Sequence, residues 1–178
     1  MPNSAVLQAQ SGSRSAIGGV RTESLRIAGE KVAGDRHFEV RYPYTGEVVA
    51  VVPNASVAEV RRAIDLGAKF RSSLTRHDRY RILMKAGEII AQRRDEIARL
   101  ITLESGLCLK DTLYEVGRAS DVLLFSANQA LVDDGQVFSC DVTPHGRRRK
   151  VYTMREPLLG VISAITPFNH PLNQVIHK

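Results

Sequence analysis

The sequence has little of what cross-links small or secreted proteins. Its 178 residues include no tryptophan and two cysteines, Cys108 and Cys140. These cysteines form no Cys-x-x-Cys pair and lie near no His/Cys cluster in the sequence. We therefore expect neither a disulfide framework nor a metal site. A reduced, cytoplasmic compartment is the default for such a chain.

Long apolar runs are also missing from the start of the chain. The first 22 residues are rich in Ser, Gly, Ala and Gln and contain no sustained hydrophobic stretch. This argues against a signal peptide and a membrane span. A transit peptide stays open because Arg14, Arg21 and several serines fit its composition, but no amphipathic stripe supports it. We predict a disordered tail over residues 1–22 and no membrane partner.

Positive charge is not segregated along the chain. The sequence has 25 Lys+Arg and 19 Asp+Glu, a formal net charge of +6, with the two signs mixed. Such an excess is a weak signal for nucleic acid. The basic run 147–150 falls at a predicted hairpin, where charge discourages unwanted strand pairing. A nuclear signal or phosphate contact is the alternative, but we expect no nucleic-acid partner.

Helical periodicity dominates the middle of the chain. Ser56 with Glu59 is a capping box for a helix over about 57–70, and Thr75 with Asp78 repeats this signal. A third helix is predicted to open at Asp95 and to stop at Gly106, and a fourth to run over about 110–132. The second helix has an apolar stripe, predicted to be buried, made of Ile82, Leu83, Ala86, Ile89 and Ile90.

Strand patterns flank these helices. Short strands joined by glycine-containing turns are predicted over 25–52, and two more over 136–140 and 150–155. The apolar run 160–165 is typical of a strand buried on both faces of a parallel sheet. Such a sheet needs a crossover and a parallel neighbour, which we do not find within the 178 residues. The pattern predicts an α/β fold whose sheet is incomplete.

The turn after that last strand carries the strongest chemical signal. Pro171 suits the first turn of a helix, with Asn169 or His170 at the cap. Strand-to-helix turns at the carboxyl edge of a sheet are where α/β proteins bind ligands. The amide of Asn169 is therefore either a helix cap or a donor to an oxyanion.

Several ordered motifs resemble the NAD(P)-dependent aldehyde dehydrogenase superfamily. The segment GVISAITPFNHPL at 160–172 is similar to the family's run from a Gly-Val lead into a Pro-aromatic-Asn-x-Pro turn. Further similar segments are IAGE at 27–30, PYTGEV at 43–48, VPNASV at 52–57 and ESG at 104–106. The resemblance extends over about residues 25–178.

The resemblance implies a division of the chain. Residues 23–132 would form N-terminal strands and a four-helix layer of the cofactor-binding domain. Residues 133–156 would form a strand arm used in oligomerisation, which implies a homo-oligomer, a dimer or tetramer, in the complete enzyme. Residues 157–178 would supply the first strand and the helix start of the Rossmann-like nucleotide-binding sheet.

The resemblance also implies roles at the turn. Ile165, Thr166, Pro167 and Phe168 would contact the nicotinamide half of NAD or NADP through their backbone, and Asn169 would hold the oxyanion. The family's cysteine nucleophile and glutamate base follow this segment, and neither Cys108 nor Cys140 lies in a matching motif. We expect these 178 residues alone to be inactive, with Cys108 buried or half-buried at a helix end and Cys140 in a strand.

Arg118 and His170 bear on the substrate. Arg118 lies opposite the main stripe of the fourth helix, on a side that also carries Tyr114, Val122 and Phe125. An arginine with such neighbours suits a partly desolvated anion site, although a solvent-facing arginine is the simpler interpretation. The resemblance implies that Arg118 lines the substrate tunnel and that His170 lies opposite it.

The segment 168–173 together with Arg118 resembles that of family members that act on phosphonoacetaldehyde, so the resemblance implies a small anionic aldehyde of this type as substrate. Glyceraldehyde 3-phosphate and semialdehydes remain alternatives, and the choice between NAD and NADP stays open. A different hypothesis is a non-catalytic assembly fragment that associates through its strand arm.

Overall fold

The computed structural model describes residues 19–133, 135–154 and 160–178. Its N-terminal strands are β1 (Arg21–Thr22), β2 (Leu25–Ile27), β3 (Glu30–Val32), β4 (Arg36–Arg41) and β5 (Val48–Asn54). Four helices follow: α1 (Val57–Lys69), α2 (Arg76–Gln92), α3 (Arg94–Ser105) and α4 (Leu109–Ala130). Strands β6 (Val137–Ser139) and β7 (Lys150–Tyr152) then precede helix α5 (Pro171–Ile176).

The N-terminal strands form two small sheets. β5 lies between β1, which runs parallel to it, and β4, which runs antiparallel, while β2 and β3 form a separate hairpin. The predicted tail is wrong at its end, because Arg21 and Thr22 pair with Ala50 and Val51. An exposed edge of the β5 strand offers these residues backbone partners, and composition alone does not reveal such long-range pairing. Residues 1–18 lie outside the described part of the chain.

The helix boundaries follow the local signals. The Ser56 hydroxyl accepts a hydrogen bond from the Glu59 N–H, and the Glu59 carboxylate accepts one from the Ser56 N–H at 2.7 Å. Thr75 and Asp78 repeat this box at the start of α2. α3 ends at Gly106, whose φ of 76° lies in the left-handed region and whose added Cβ would lie 3.3 Å from the Pro43 ring.

Helix α4 is the centre of the helical layer. Both α2 and α3 pack against it, and Val116 of α4 meets Ala98 and Ile101 of α3 in the buried core. The predicted stripe of α2 is only partly covered, since Ile82 and Ile89 are exposed. The stripe is wider than the face that contacts α4, so its outer residues face away from the core.

The predicted strand over 160–165 does not form in the structure. Residues 161–167 form no strand, and the side chains of Val161, Ile162 and Ile165 are exposed. A buried strand needs neighbours on its edges and layers on its faces, and the described residues supply neither. The segment is apolar, but the burial inferred from that composition is wrong for this structure.

Strands β6 and β7 form an antiparallel hairpin with every strand residue exposed. They are shorter than predicted because Cys140 and Thr153 continue the pairing only through single backbone hydrogen bonds, to Arg149 and Gln136. Residues 134 and 155–159, which fall within the predicted arm and the segment after it, lie outside the described part. Among the described helices, none is both long enough and apolar enough to cross a membrane.

Candidate functional site

A cavity of about 170 Å³ lies where α4 meets the turn that leads into α5. Its lining comes from three places in the sequence: the loop after α3, one face of α4, and the residue before α5. The spacing of three to four residues on α4 brings its four lining side chains to one face. The lining residues are Leu107, Asp111, Tyr114, Glu115, Arg118 and His170.

Glu115 is the buried charge of this cavity, with only 2% of its surface exposed. Its Oε1 accepts hydrogen bonds from the backbone N–H groups of Leu172 and Asn173, both at 2.9 Å. The first N–H groups of a helix have no partner within the helix. A carboxylate from α4 therefore performs the capping that α5 lacks from its own sequence.

The second oxygen of Glu115 faces His170. Glu115 Oε2 lies 3.7 Å from His170 Nδ1 and accepts no hydrogen bond from the described residues. His170 is the N-cap residue of α5, yet its side chain makes no capping hydrogen bond there. The imidazole is thus left to face the carboxylate and the cavity.

Arg118 lies in the same cavity as His170. Its guanidinium carbon is 6.0 Å from the centre of the Tyr114 ring, the outer limit of a cation–π contact. The Arg118 side chain is exposed, so the predicted partial desolvation is wrong in this structure. Tyr114 and Phe125, which suggested an apolar surround, are themselves mostly exposed.

Asn169 lies on the exposed turn beside this cavity. Its side chain makes no hydrogen bond with any described residue, and it does not cap α5. The capping interpretation of Asn169 is therefore wrong, because Glu115 occupies the amides that a cap would bind. The oxyanion role stays a prediction.

The four residues with a predicted cofactor role precede Asn169 on an extended, exposed segment. Ile165 is 82% exposed and Phe168 88%, and Thr166 and Pro167 are exposed as well. No backbone hydrogen bond joins residues 165–168 to the rest of the described chain. Their backbone donors and acceptors are therefore open to a ligand, which fits a group that binds through the main chain.

Acidic residues partly offset the positive charge of the cavity. Asp111 lies on its lining, and Glu104 of α3 is near enough to Glu115 for their charges to interact. Desolvation raises the pKa of Glu104, and the carboxylate of Glu115 raises it further, against an opposing effect of Arg21. The site is therefore a mixed cluster in which Arg118 is the outward-facing cation.

Neither cysteine lines the cavity. Cys108 is the N-cap residue of α4 and is exposed, which contradicts the predicted burial, and Cys140 lies just after β6 rather than in it. In the described parts of the chain, no three His, Cys, Asp or Glu side chains are grouped to hold a metal ion.

Sequence reasoning brought Arg118 and His170 together but missed Glu115. One signal was available: Glu115 stands beside Val116 on the packed face of α4, between the buried Thr112 and Ala119. A charged residue in the buried stripe of an amphipathic helix requires a polar partner. The identity of that partner, 57 residues away, is not encoded in any local pattern.

Comparison with known proteins matches residues 31–178 to the model of the Aldehyde dehydrogenase family. A 3-sulfolactaldehyde dehydrogenase from Priestia aryabhattai is 32% identical over 161 residues, covering 89% of this chain and 33% of that protein. A lactaldehyde dehydrogenase from Methanococcus aeolicus is 34% identical over 146 residues, covering 80% and 30%. The chain thus spans about a third of the length of the curated relatives it matches.

The fold is also similar to solved structures. The NADP-dependent glyceraldehyde-3-phosphate dehydrogenase from Bacillus halodurans, crystallised with NADP, superposes with a TM-score of 0.76 at 28% identity. That match covers 87% of this chain and 34% of the other. The partial α/β arrangement of strands and helices therefore corresponds to the N-terminal part of such an enzyme.

Proposed function

Because the chain belongs to the aldehyde dehydrogenase family, we propose that it supplies the N-terminal part of an oxidoreductase for a small anionic aldehyde. The reaction converts the aldehyde and water to the acid while a hydride passes to NAD⁺ or NADP⁺ and protons are released. The observation that carries the proposal is the shared cavity of Arg118 and His170.

Arg118 provides the anion-binding group of this proposal. Its guanidinium offers a planar fork of N–H donors that matches the oxygens of a phosphonate, phosphate or carboxylate. His170 lines the same cavity, with Nδ1 towards Glu115 and the other ring nitrogen available to a ligand. Two such donors near one cavity suit a compact anion such as phosphonoacetaldehyde, as in a phosphonoacetaldehyde dehydrogenase.

The names of relatives support an anionic substrate without fixing it. Sulfolactaldehyde and glyceraldehyde 3-phosphate carry an anionic group near the aldehyde, whereas lactaldehyde carries none. Membership of the family is compatible with either class. The assignment to the anionic class therefore depends on the side chains of the cavity, above all on Arg118.

The chain's own residues have two roles in the reaction. The Asn169 amide, free of other described partners, donates a hydrogen bond to the carbonyl oxygen as negative charge develops there. Residues 165–168 hold the nicotinamide through their open backbone groups. NAD⁺ or NADP⁺, when bound, accepts the hydride.

The described residues provide no nucleophile for this chemistry, since Cys108 and Cys140 lie outside the cavity. We infer that the chain alone, in soluble form in the cytoplasm, does not oxidise aldehydes. Reduced nicotinamide formed by the purified chain from phosphonoacetaldehyde would contradict this.

The β6–β7 hairpin, with its exposed apolar side chains, is the proposed surface for association into a dimer or tetramer.

The proposed anion site is tested by titrating the chain with phosphonoacetate, the expected product. Arg118→Ala is expected to weaken binding about fivefold to tenfold, because a charge-assisted hydrogen bond is lost. Arg118→Lys keeps the positive charge but not the forked set of donors, so its affinity for phosphonoacetate should lie between those of wild type and Arg118→Ala. Calorimetry or NMR shift titration measures the dissociation constants.

Two controls sharpen this experiment. Trimethyl phosphonoacetate, the uncharged ester, should bind wild type and Arg118→Ala alike. Arg99→Ala removes an exposed arginine of α3 that does not line the cavity and should leave phosphonoacetate binding unchanged. Equal loss in the two alanine variants, or no loss in Arg118→Ala, would remove Arg118 from the site.

A further inference from the structure

We propose that Glu115 is a positioning residue that holds the Asn169–His170 turn against α4 and keeps the His170 ring in the cavity. This inference rests on the proposed function, because the proposed function gives Asn169 and His170 of that turn their roles in oxyanion and anion binding. Among the described residues Glu115 is the one charged residue that is buried, at 2% exposure, and it reaches across 57 residues of sequence.

The Oε1 atom fixes the backbone of the first turn of α5, directly after the Asn169–His170 turn. It accepts two N–H groups, from Leu172 and Asn173, at 2.9 Å each. Hydrogen bonds from backbone amides to a carboxylate are stronger than those between neutral groups. Since α5 begins at Pro171, directly after the turn, anchoring these amides also fixes the positions of Asn169 and His170.

The Oε2 atom acts on His170. It is buried, has no hydrogen-bond partner among the described residues, and lies 3.7 Å from His170 Nδ1. A buried carboxylate oxygen left unpaired is costly, and the imidazole that faces Oε2 at 3.7 Å is placed to compensate it. The two oxygens thus act on different parts of the turn, since Oε1 holds the main chain and Oε2 orients the ring.

The wider charge environment is consistent with this assignment. Glu104 of α3 and Asp111 of α4 add negative charge near Glu115, while Arg118 faces the same cavity from one turn further along α4. Glu115 makes its hydrogen bonds to the turn and not to Arg118. The guanidinium therefore remains available to a ligand instead of being neutralised by the nearest carboxylate.

The test uses the whole chain and compares Glu115→Ala with Glu115→Gln. Amide hydrogen exchange at Leu172 and Asn173 is expected to speed up about tenfold or more in Glu115→Ala, which removes the acceptor. Glu115→Gln keeps a carbonyl oxygen and should restore most of the protection. Asp121→Asn, which alters an exposed carboxylate of the same helix, should change neither amide.

A second readout separates positioning from simple stabilisation. The ring ¹⁵N shifts of His170 should change in both Glu115 variants, since both remove the charge that faces Nδ1, and stay constant in Asp121→Asn. If Glu115→Ala does not fold, Glu115→Gln carries the test through retained amide protection with altered ring shifts. Unchanged His170 ring shifts in Glu115→Gln would overturn the proposal. So would a loss of amide protection at Leu172 and Asn173 in Glu115→Gln, or unchanged protection of these amides in Glu115→Ala.

Neither readout uses phosphonoacetate. Failure of the positioning role therefore leaves the proposed anion site to be judged by its own titration. Conversely, normal phosphonoacetate binding by Arg118→Ala would refute the proposed anion site. Altered His170 ring shifts in Glu115→Gln would still support the positioning role of Glu115.

Discussion

Glu115 and Arg118 lie one turn apart on α4, and their environments differ completely. Glu115 is buried and accepts two hydrogen bonds from the first turn of α5, whereas Arg118 is exposed and free to meet a ligand. Residue types in the sequence suggested the anion-binding role proposed for Arg118, because a forked cation has a recognisable chemistry. They left open whether Arg118 is exposed or partly desolvated and did not indicate the partner of Glu115, since both depend on which distant segment packs beside α4.

Glu104 gives a prediction at the same scale. Its pKa is raised above the ordinary 4.5 mainly by desolvation and then by Glu115, so folding disfavours its charged form. This penalty is absent below the ordinary pKa, where the folded and unfolded chains are both protonated, and it grows as the pH rises towards the folded value. Because the Glu104 side chain is exposed and solvent screens its charge, Glu104→Gln should raise the melting temperature only slightly at about pH 7 and have little effect below about pH 4.

Thermal unfolding at several pH values measures this difference. Asp121→Asn, at an exposed carboxylate of α4, is the matched control and should give a small, pH-independent change. A Glu104→Gln chain that is less stable than wild type at neutral pH would contradict the role of desolvation.

At the scale of elements, local signals predicted the helices well and the strands less well. Two capping boxes and the left-handed Gly106 fixed three helix ends within a residue or two, because such signals act over a single turn. The segment 161–167 failed because strand formation requires partners, and an apolar composition does not provide them. Likewise β1 was missed because its partner β5 lies 29 residues further along.

The β6–β7 hairpin carries the element-scale prediction. Phe138 and Val151 pair across the strands and share one exposed face, which is the kind of apolar surface that oligomers bury. We expect the chain to self-associate and the double variant Phe138→Ser, Val151→Ser to shift it towards monomer. Analytical ultracentrifugation over a range of concentrations measures this.

Val142→Ser is the control, because Val142 is an exposed apolar residue of the same hairpin that lies outside the paired strands. It should leave association unchanged. A wild-type chain that stays monomeric at all concentrations would contradict the proposed arm, as would a double variant that associates like wild type.

At the scale of the whole molecule, the site exists only where distant parts of the chain meet. α4 supplies Arg118 and Glu115, and the turn before α5 supplies Asn169 and His170. Family resemblance implied roles for Arg118, Asn169 and His170 but none for Glu115. The fold brings Arg118, Glu115 and His170 to one cavity, with Asn169 on the turn beside it, which spacing within either segment could not establish. We therefore expect, as the central claim, that Arg118 and His170 act together on one anion.

A double-mutant cycle measures this claim most directly. Dissociation constants for phosphonoacetate would be determined for wild type, Arg118→Ala, His170→Ala and the double variant. Each single variant is expected to bind phosphonoacetate about fivefold to tenfold more weakly than wild type does. The double variant should bind phosphonoacetate no more tightly than wild type binds the uncharged trimethyl ester. Wild-type affinity in either single variant, or equal weakening for the ester, would contradict a shared anion site.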